Sequence, residues 1–260
     1  MNSEYYTPQH FYIKNAAYIR YQREFDDLLE LFNESEKVKY KISGLKIFTA
    51  EQKACSLIFL KSQHLVISIL KLCNEGIAEN AGILLRSLYE NYIQAKFILN
   101  FDLGEQFLNY RIAARKKYMD LYEKQFPASN LITPEYKSFK KNLDDRFEKI
   151  KQDYLYNDGE IRERWNSLGI KGMAKKLNET LSYDYIMSVY SAYVHCDVTG
   201  MLHYIVESED HITFDNSPTP DKVDEILKLT NEFSGRIVTE WIATFPIEMP
   251  SFFKKFLKLK

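Results

Sequence analysis

Cysteine is scarce: Cys55, Cys73 and Cys196 are an odd number with no C-x-x-C pair, which excludes a disulfide framework and a cysteine-rich zinc site and points to the cytoplasm. Glycine (9) and proline (7) are few among 260 residues, so long flexible or turn-rich stretches are missing. Neither sign of charge dominates. Lys and Arg (35) nearly cancel Asp and Glu (36), a net charge of -1, so no global field draws the chain to nucleic acid or an anionic membrane and any such contact must be a local patch. No apolar run approaches the roughly 20 residues needed to cross a bilayer, and MNSEYYTPQH lacks the basic start and apolar core of a signal peptide. The most apolar window, SLIFLKSQHLVISILKLC, is interrupted by Lys61, Gln63 and His64 and reads as a buried helix, with no membrane partner.

Recognisable enzyme signatures are missing too. There is no phosphate-binding P-loop, no G-x-G-x-x-G, no H-E-x-x-H and no G-x-S-x-G, and the paired E-x-x-H of di-iron bundles is absent. No metal site and no cofactor is expected. His203 and the acidic ESEDH run could supply ligands, but a polar helix terminus accounts for them better.

What the chain does have is apolar periodicity. With 45% hydrophobic residues, 19 Tyr and 17 Phe, it can bury a sizeable core. Helical spacing recurs at 9–33, 50–74, 77–100, 102–125, 134–153, 171–180, 183–207 and 220–244, with a short helix at 250–258 docking Phe252, Phe253, Phe256 and Leu257. Thr133-Pro134 and Thr219-Pro220 each place a capping side chain before a proline suited to the first turn. Without repeats or linkers, residues 1–260 are expected to form one all-α bundle of about seven to nine helices. The section around 154–170 is irregular, and HITF at 211–214 leaves room for one small hairpin.

Two helices carry polar rows. On 183–207, Met187, Tyr190, Val194, Val198, Met201 and Ile205 form an apolar stripe expected to face the core, and Asp184, Ser188, Ser191, His195 and Thr199 line up beside it. On 77–100, Arg86 and Glu90 sit at i and i+4 between Ile83, Ile93 and Phe97, which implies partial burial. A buried ion pair is costly unless its hydrogen bonds are completed, and Ser191 and His195 are candidates to complete them if the two helices pack together. Arg86, Glu90, Ser191 and His195 therefore form the candidate site, with a purely structural role for the same residues as the competing reading.

The segments LLRSLYENYIQAKFI, WNSLGIKGMAKKL and YDYIMSVYSAYVH, spanning roughly Leu84 to His195, resemble a bacterial helical family with an R-x-x-x-E helix and a later S-x-x-x-H helix. That arrangement is similar to the HEPN superfamily, all-α proteins that include metal-independent ribonucleases of antiviral and toxin-antitoxin systems. The resemblance implies an RNA substrate, a homodimer, His195 as acid-base group and Arg86 as phosphate clamp, with Glu90 orienting Arg86 and Ser191 assisting. HEPN ribonucleases carry R-x4-6-H on one helix. Here Tyr190, Ser191, Ala192, Tyr193 and Val194 precede His195, so the nearest candidate cation is Arg86 on another helix.

RIAARKK at 111–117 places Arg111, Arg115 and Lys116 on adjacent turns, a local track for an RNA backbone or simply a solvated face. The alternating charges of 134–153 read as a solvated helix with i,i+4 pairs. The runner-up function is a non-catalytic binding or assembly module acting with a protein partner.

Overall fold

The computed structural model of the chain describes residues 16–45, 48–126, 133–195, 198, 204–207, 212–214 and 221–257. Two helices, α1 (Ala16–Arg20) and α2 (Gln22–Ser43), lead into the long helices α3 (Ala50–Asn74), α4 (Ala78–Asn100) and α5 (Gly104–Gln125). Then come α6 (Pro134–Glu148), α7 (Gly169–Lys176) and α8 (Thr180–Val194). An antiparallel hairpin of β1 (Ile205–Glu207) and β2 (Ile212–Phe214) precedes α9 (Val223–Ala243) and the terminal α10 (Lys254–Leu257). The architecture is the all-α bundle expected from the periodicity, with the hairpin as its one small sheet among the described residues.

Local chemistry sets several boundaries. Thr49 and Gln52 close a reciprocal capping box at the start of α3. Thr133 accepts a hydrogen bond from the Tyr136 N–H with Pro134 in the first turn of α6. Thr219-Pro220 lies outside the described residues. Gly76 turns the chain from α3 into α4 with φ 71, a left-handed conformation that a Cβ would disfavour.

The core lies where α3, α4 and α9 pack on one another, with α2 and α8 on its flanks. Leu85, Leu88, Tyr89 and Ile93 of α4 are fully buried. Trp241 of α9 stacks on Phe59 of α3 with ring centroids 3.9 Å apart and donates its indole N–H to Ser56 Oγ at 2.9 Å. By length and composition α3 could cross a membrane, but half of its most apolar window is buried inside the bundle. A second, smaller cluster of Ile112, Ala113, Leu143, Phe147 and Tyr154 holds α6 and the 3-10 segment after it against α5.

Two elements depart from the expectations among the described residues. Residues 9–15 lie outside the described residues, and the helix expected to end near 33 continues as α2 to Ser43. Buried Ser35 interrupts the apolar stripe between Leu31 and Val38 and so disguises it; its hydroxyl donates to the Leu31 carbonyl at 2.7 Å and accepts from Gln63 at 2.8 Å. The helix expected over 183–207 ends at Val194, and Ile205 to Glu207 form a strand instead, where β-branched Ile205 and Val206 pair with Phe214 and Thr213.

The supposed core stripe on that helix is also corrected. Of its members only Tyr190 is buried; Val194, Val198 and Ile205 are 38%, 64% and 40% exposed, and Met201 lies outside the described residues. The contact edge of α8 runs through Ile186 and Tyr190, one turn apart, with Tyr183, Met187, Val189 and Tyr193 packed partly against the core beside them, while Leu181, Tyr185 and Val194 stay exposed. At the C-terminus Phe253 and Phe256 dock as expected, while Leu257 stays exposed.

Candidate functional site

Arg86 and Glu90 meet as the spacing predicts: Arg86 Nε donates to Glu90 Oε1 at 3.3 Å, with both side chains partly exposed. The inferred packing of their helix on the histidine helix is also present, because a Cβ on Gly82 of α4 would lie 2.5 Å from the Tyr190 ring of α8. Tyr89, further along α4, donates to the Glu179 carbonyl at the start of α8, so the two helices run antiparallel. With Tyr190 level with Gly82, His195 lies beyond it in one direction and Arg86 in the other. At 1.5 Å per residue their levels differ by about 13 Å along the axis. Among the described residues no hydrogen bond or ion pair joins Arg86 or Glu90 to Ser191 or His195.

Ser191 is half-buried, its hydroxyl 3.9 Å from the Met187 sulfur. His195 follows the last turn of α8, where its backbone N–H caps the Ser191 carbonyl at 3.1 Å and its side chain is exposed. Asp184 and Ser188 are exposed as well, so the polar row faces outward rather than bordering the core; Thr199 lies outside the described residues.

The basic run on α5 divides. Lys116 is held between Asp120 at 2.7 Å and Asp144 of α6 at 3.0 Å, a clamp between the two helices. Arg111 and Arg115 are exposed, and neither makes an ion pair or hydrogen bond among the described residues.

The most developed polar site is one that the sequence reading missed. Glu179, preceding α8, has Oε1 at the centre of a cluster. It accepts from Tyr92 Oη at 2.6 Å and from Lys96 Nζ at 2.6 Å, and Arg236 Nη1 of α9 is 3.6 Å away. The Tyr92 oxygen in turn accepts from Lys96 at 3.0 Å and from Arg236 at 3.2 Å, and Arg236 Nη2 reaches Glu232 at 2.6 Å. Burial pushes the Glu179 carboxyl up, but the Lys96 and Tyr92 hydrogen bonds and the Arg236 charge outweigh it and hold the group below the usual carboxylate range. The same partnership outweighs burial at Lys96 and raises its pKa. The cluster lines a cavity of about 540 Å³ together with Asn178, Ser182, Thr239 and Glu240.

A signal for it existed in part. Glu232 and Arg236 repeat, on α9, the i,i+4 pattern of a charged pair among Phe233, Ile237 and Val238 that drew attention to Arg86 and Glu90. Glu179 sits between helices, where no periodicity marks it.

Other chemistries find little support. Among the described residues no three His, Cys, Asp or Glu side chains are grouped to hold a metal. His203 and residues 208–211 lie outside the described residues. Burial pushes the Cys55 and Cys73 thiols up to about 12, far from the thiolate a nucleophile needs; Cys196 lies outside the described residues.

These features define an all-α bundle protein with an ion cluster where α4, α8 and α9 meet and an exposed histidine at the far end of α8, on an outward-facing polar row. Residues 52–212, more than half of the chain, match a family described as a family of unknown function (DUF5677), and the chain belongs to that family. The match includes Arg86, Glu90, Lys96, Glu179, Ser191 and His195, and leaves Arg236 outside. Neither a curated protein nor a solved structure matches the chain.

Proposed function

We propose that this chain is a HEPN-like, metal-independent ribonuclease acting as a cytoplasmic homodimer in bacterial antiviral defence or a toxin-antitoxin pair. The observation that carries the reading is the surface of α8. Its sequence, TLSYDYIMSVYSAYV, holds one charged residue, yet only Ile186 and Tyr190 are buried, and Leu181 (87%) and Tyr185 (46%) stand in solvent. Apolar surface of this kind, running up to an exposed histidine, suits a two-fold interface that brings two copies of His195 to one groove.

In this reading His195 takes the proton of an RNA 2'-hydroxyl as the O2'–phosphorus bond forms. The bond to the 5'-oxygen breaks, and the proton passes to that leaving oxygen, yielding a cyclic phosphate and a free 5'-hydroxyl. Arg86, partly exposed and oriented by Glu90, clamps phosphate of the bound strand, and Ser191 supports the imidazole.

The test is cleavage of total cellular RNA in the presence of a chelator. His195→Ala is expected to reduce the rate by about 10²–10⁴-fold, and Arg86→Ala, which removes a clamp away from the reacting phosphate, to act mainly by raising KM. Leu181→Glu with Tyr185→Glu is expected to give a monomer by light scattering and to lose cleavage with it. If folded His195→Ala and Arg86→Ala proteins cut as wild type does, the assignment fails.

One observation favours the second reading, a non-catalytic binding or assembly module with a protein partner: Arg86 and Glu90 are paired to each other rather than to groups across α8. Under that reading wild type leaves RNA intact, and the α8 double substitution abolishes partner capture.

A further inference from the structure

We propose that α5 and α6 together form a binding groove for single-stranded nucleic acid, with three arginines gripping the backbone and aromatic side chains stacking the bases. The choice of RNA over DNA rests on the ribonuclease reading above; the groove itself does not.

The α5 arginines are joined by one from the next helix. A cavity of about 130 Å³ between α5 and α6 is lined by Arg111, Arg115, Arg146, Phe139 and Asn142, with Ile112 and Leu143 at its floor. All three arginines are exposed, and none has a hydrogen bond or ion pair among the described residues. Three carboxylates of α5 and α6 are engaged elsewhere: Asp120 and Asp144 hold Lys116, and Glu123 is taken by Lys140 at 2.6 Å and Tyr136 at 2.6 Å. Three unpaired guanidinium groups around a cavity of this size match the geometry of a phosphate, which arginine binds through paired N–H donors.

The aromatic surroundings select a single strand. Phe139, at the cavity, is 49% exposed, and Tyr118, three residues beyond Arg115 on the same face of α5, is 70% exposed. Ion pairs across the interface and the small apolar cluster beneath hold the two helices in place, so these rings are presented from rigid elements. Cations alternating with exposed rings are what a single strand uses, because its bases are free to stack, whereas a duplex hides its base faces. Arg111 also borders a second cavity, lined by Lys53, Ser56, Leu57, Asn109 and Glu105, which extends the groove toward α3.

The experiment is fluorescence anisotropy of the full-length protein with a labelled oligouridylate, a DNA oligonucleotide of matching length and an RNA duplex. Wild type is expected to bind both single strands, within a few-fold of each other, and the duplex at least about tenfold more weakly. Replacing Arg111, Arg115 and Arg146 by Ala is expected to weaken binding by about 100-fold or more and to flatten its salt dependence by about two to three ions. Phe139→Ala should cost about tenfold and Phe139→Trp little, since stacking needs only a ring face. All these positions are exposed, so thermal melting should stay unchanged. Wild-type affinity in the triple variant, equal binding of the duplex, or no binding by the wild type would overturn the groove. Cleavage that depends on His195 while the triple variant binds normally leaves the ribonuclease reading standing without it; arginine-dependent binding without cleavage leaves the groove standing alone.

Discussion

Glu179→Ala is expected to destabilise the protein by about 1–3 kcal/mol, the cost of leaving hydrogen-bonded partners unsatisfied in a partly buried ion cluster. Its carboxylate is 12% exposed and joins three separate helical elements through Tyr92 and Lys96 of α4 and Arg236 of α9. Without it the Lys96 ammonium and the Arg236 guanidinium face each other with no anion between them, and the Tyr92 hydroxyl loses its acceptor. The pH dependence has a definite sign. The Glu179 carboxyl titrates below the ordinary carboxylate value in the folded protein, so its stabilisation is full above that ordinary value and is lost as pH falls through the lowered one. Lys96 titrates above its ordinary value, so its contribution holds below that value and fades only as strongly alkaline conditions approach the raised one. Urea denaturation followed by circular dichroism should therefore show an acid limb of instability in the wild type that Glu179→Gln flattens. An unchanged acid limb in Glu179→Gln would remove the cluster from the account of acid stability.

Gly104→Ala is expected to cost about 3 kcal/mol, at the upper end for overpacking. A Cβ there would lie 2.4 Å from the Glu51 backbone nitrogen and 2.5 Å from the Ala50 carbonyl carbon. Both are backbone atoms of the first turn of α3, which the Thr49 and Gln52 capping box holds in place, so no side-chain rotation relieves the overlap. The start of α5 must withdraw instead. Gly44→Ala is the control: the site has right-handed helical geometry, with φ -79, and the nearest atom to a new Cβ is 3.9 Å away, so its effect should be within about 0.5 kcal/mol. Thermal melting of the two variants side by side tests the contrast; equal melting temperatures would rule out the close approach. Because α5 carries Arg111 and Arg115, a displaced α5 in Gly104→Ala should also weaken oligonucleotide binding if the groove reading holds.

Much of the fold was legible before any coordinates. Helices α3, α4, α5 and α9 begin and end within a few residues of the expected limits, because a 3.6-residue apolar period, a Thr-initiated cap and a left-handed glycine are local signals. Ser35 shows how such a signal fails: a polar residue satisfied inside the core breaks the pattern without breaking the helix. The candidate site was legible only as a set of rows. The i,i+4 pairing of Arg86 with Glu90 follows from helix geometry alone and is present. Whether His195 stands near Arg86 depends on the register in which α4 and α8 slide past each other. That register is set by the Tyr190 ring seating on Gly82, a contact between residues more than a hundred positions apart.

The sequence by itself determined the limits of α3, α4, α5 and α9, the charge balance and the i,i+4 alignment of polar residues along each helix. All of these depend on neighbours within a turn or on composition. Only the tertiary structure decided which faces are covered. It left Leu181, Tyr185 and Val194 of α8 exposed despite the helix's apolar composition, drew Glu179 from between helices into contact with Lys96 and Arg236, and set Arg146 opposite Arg111 and Arg115. The physical reason is that burial and ion pairing between distant segments are fixed by how helices cross, and a one-dimensional period carries the direction of a side chain along its own helix but not the identity of what it meets.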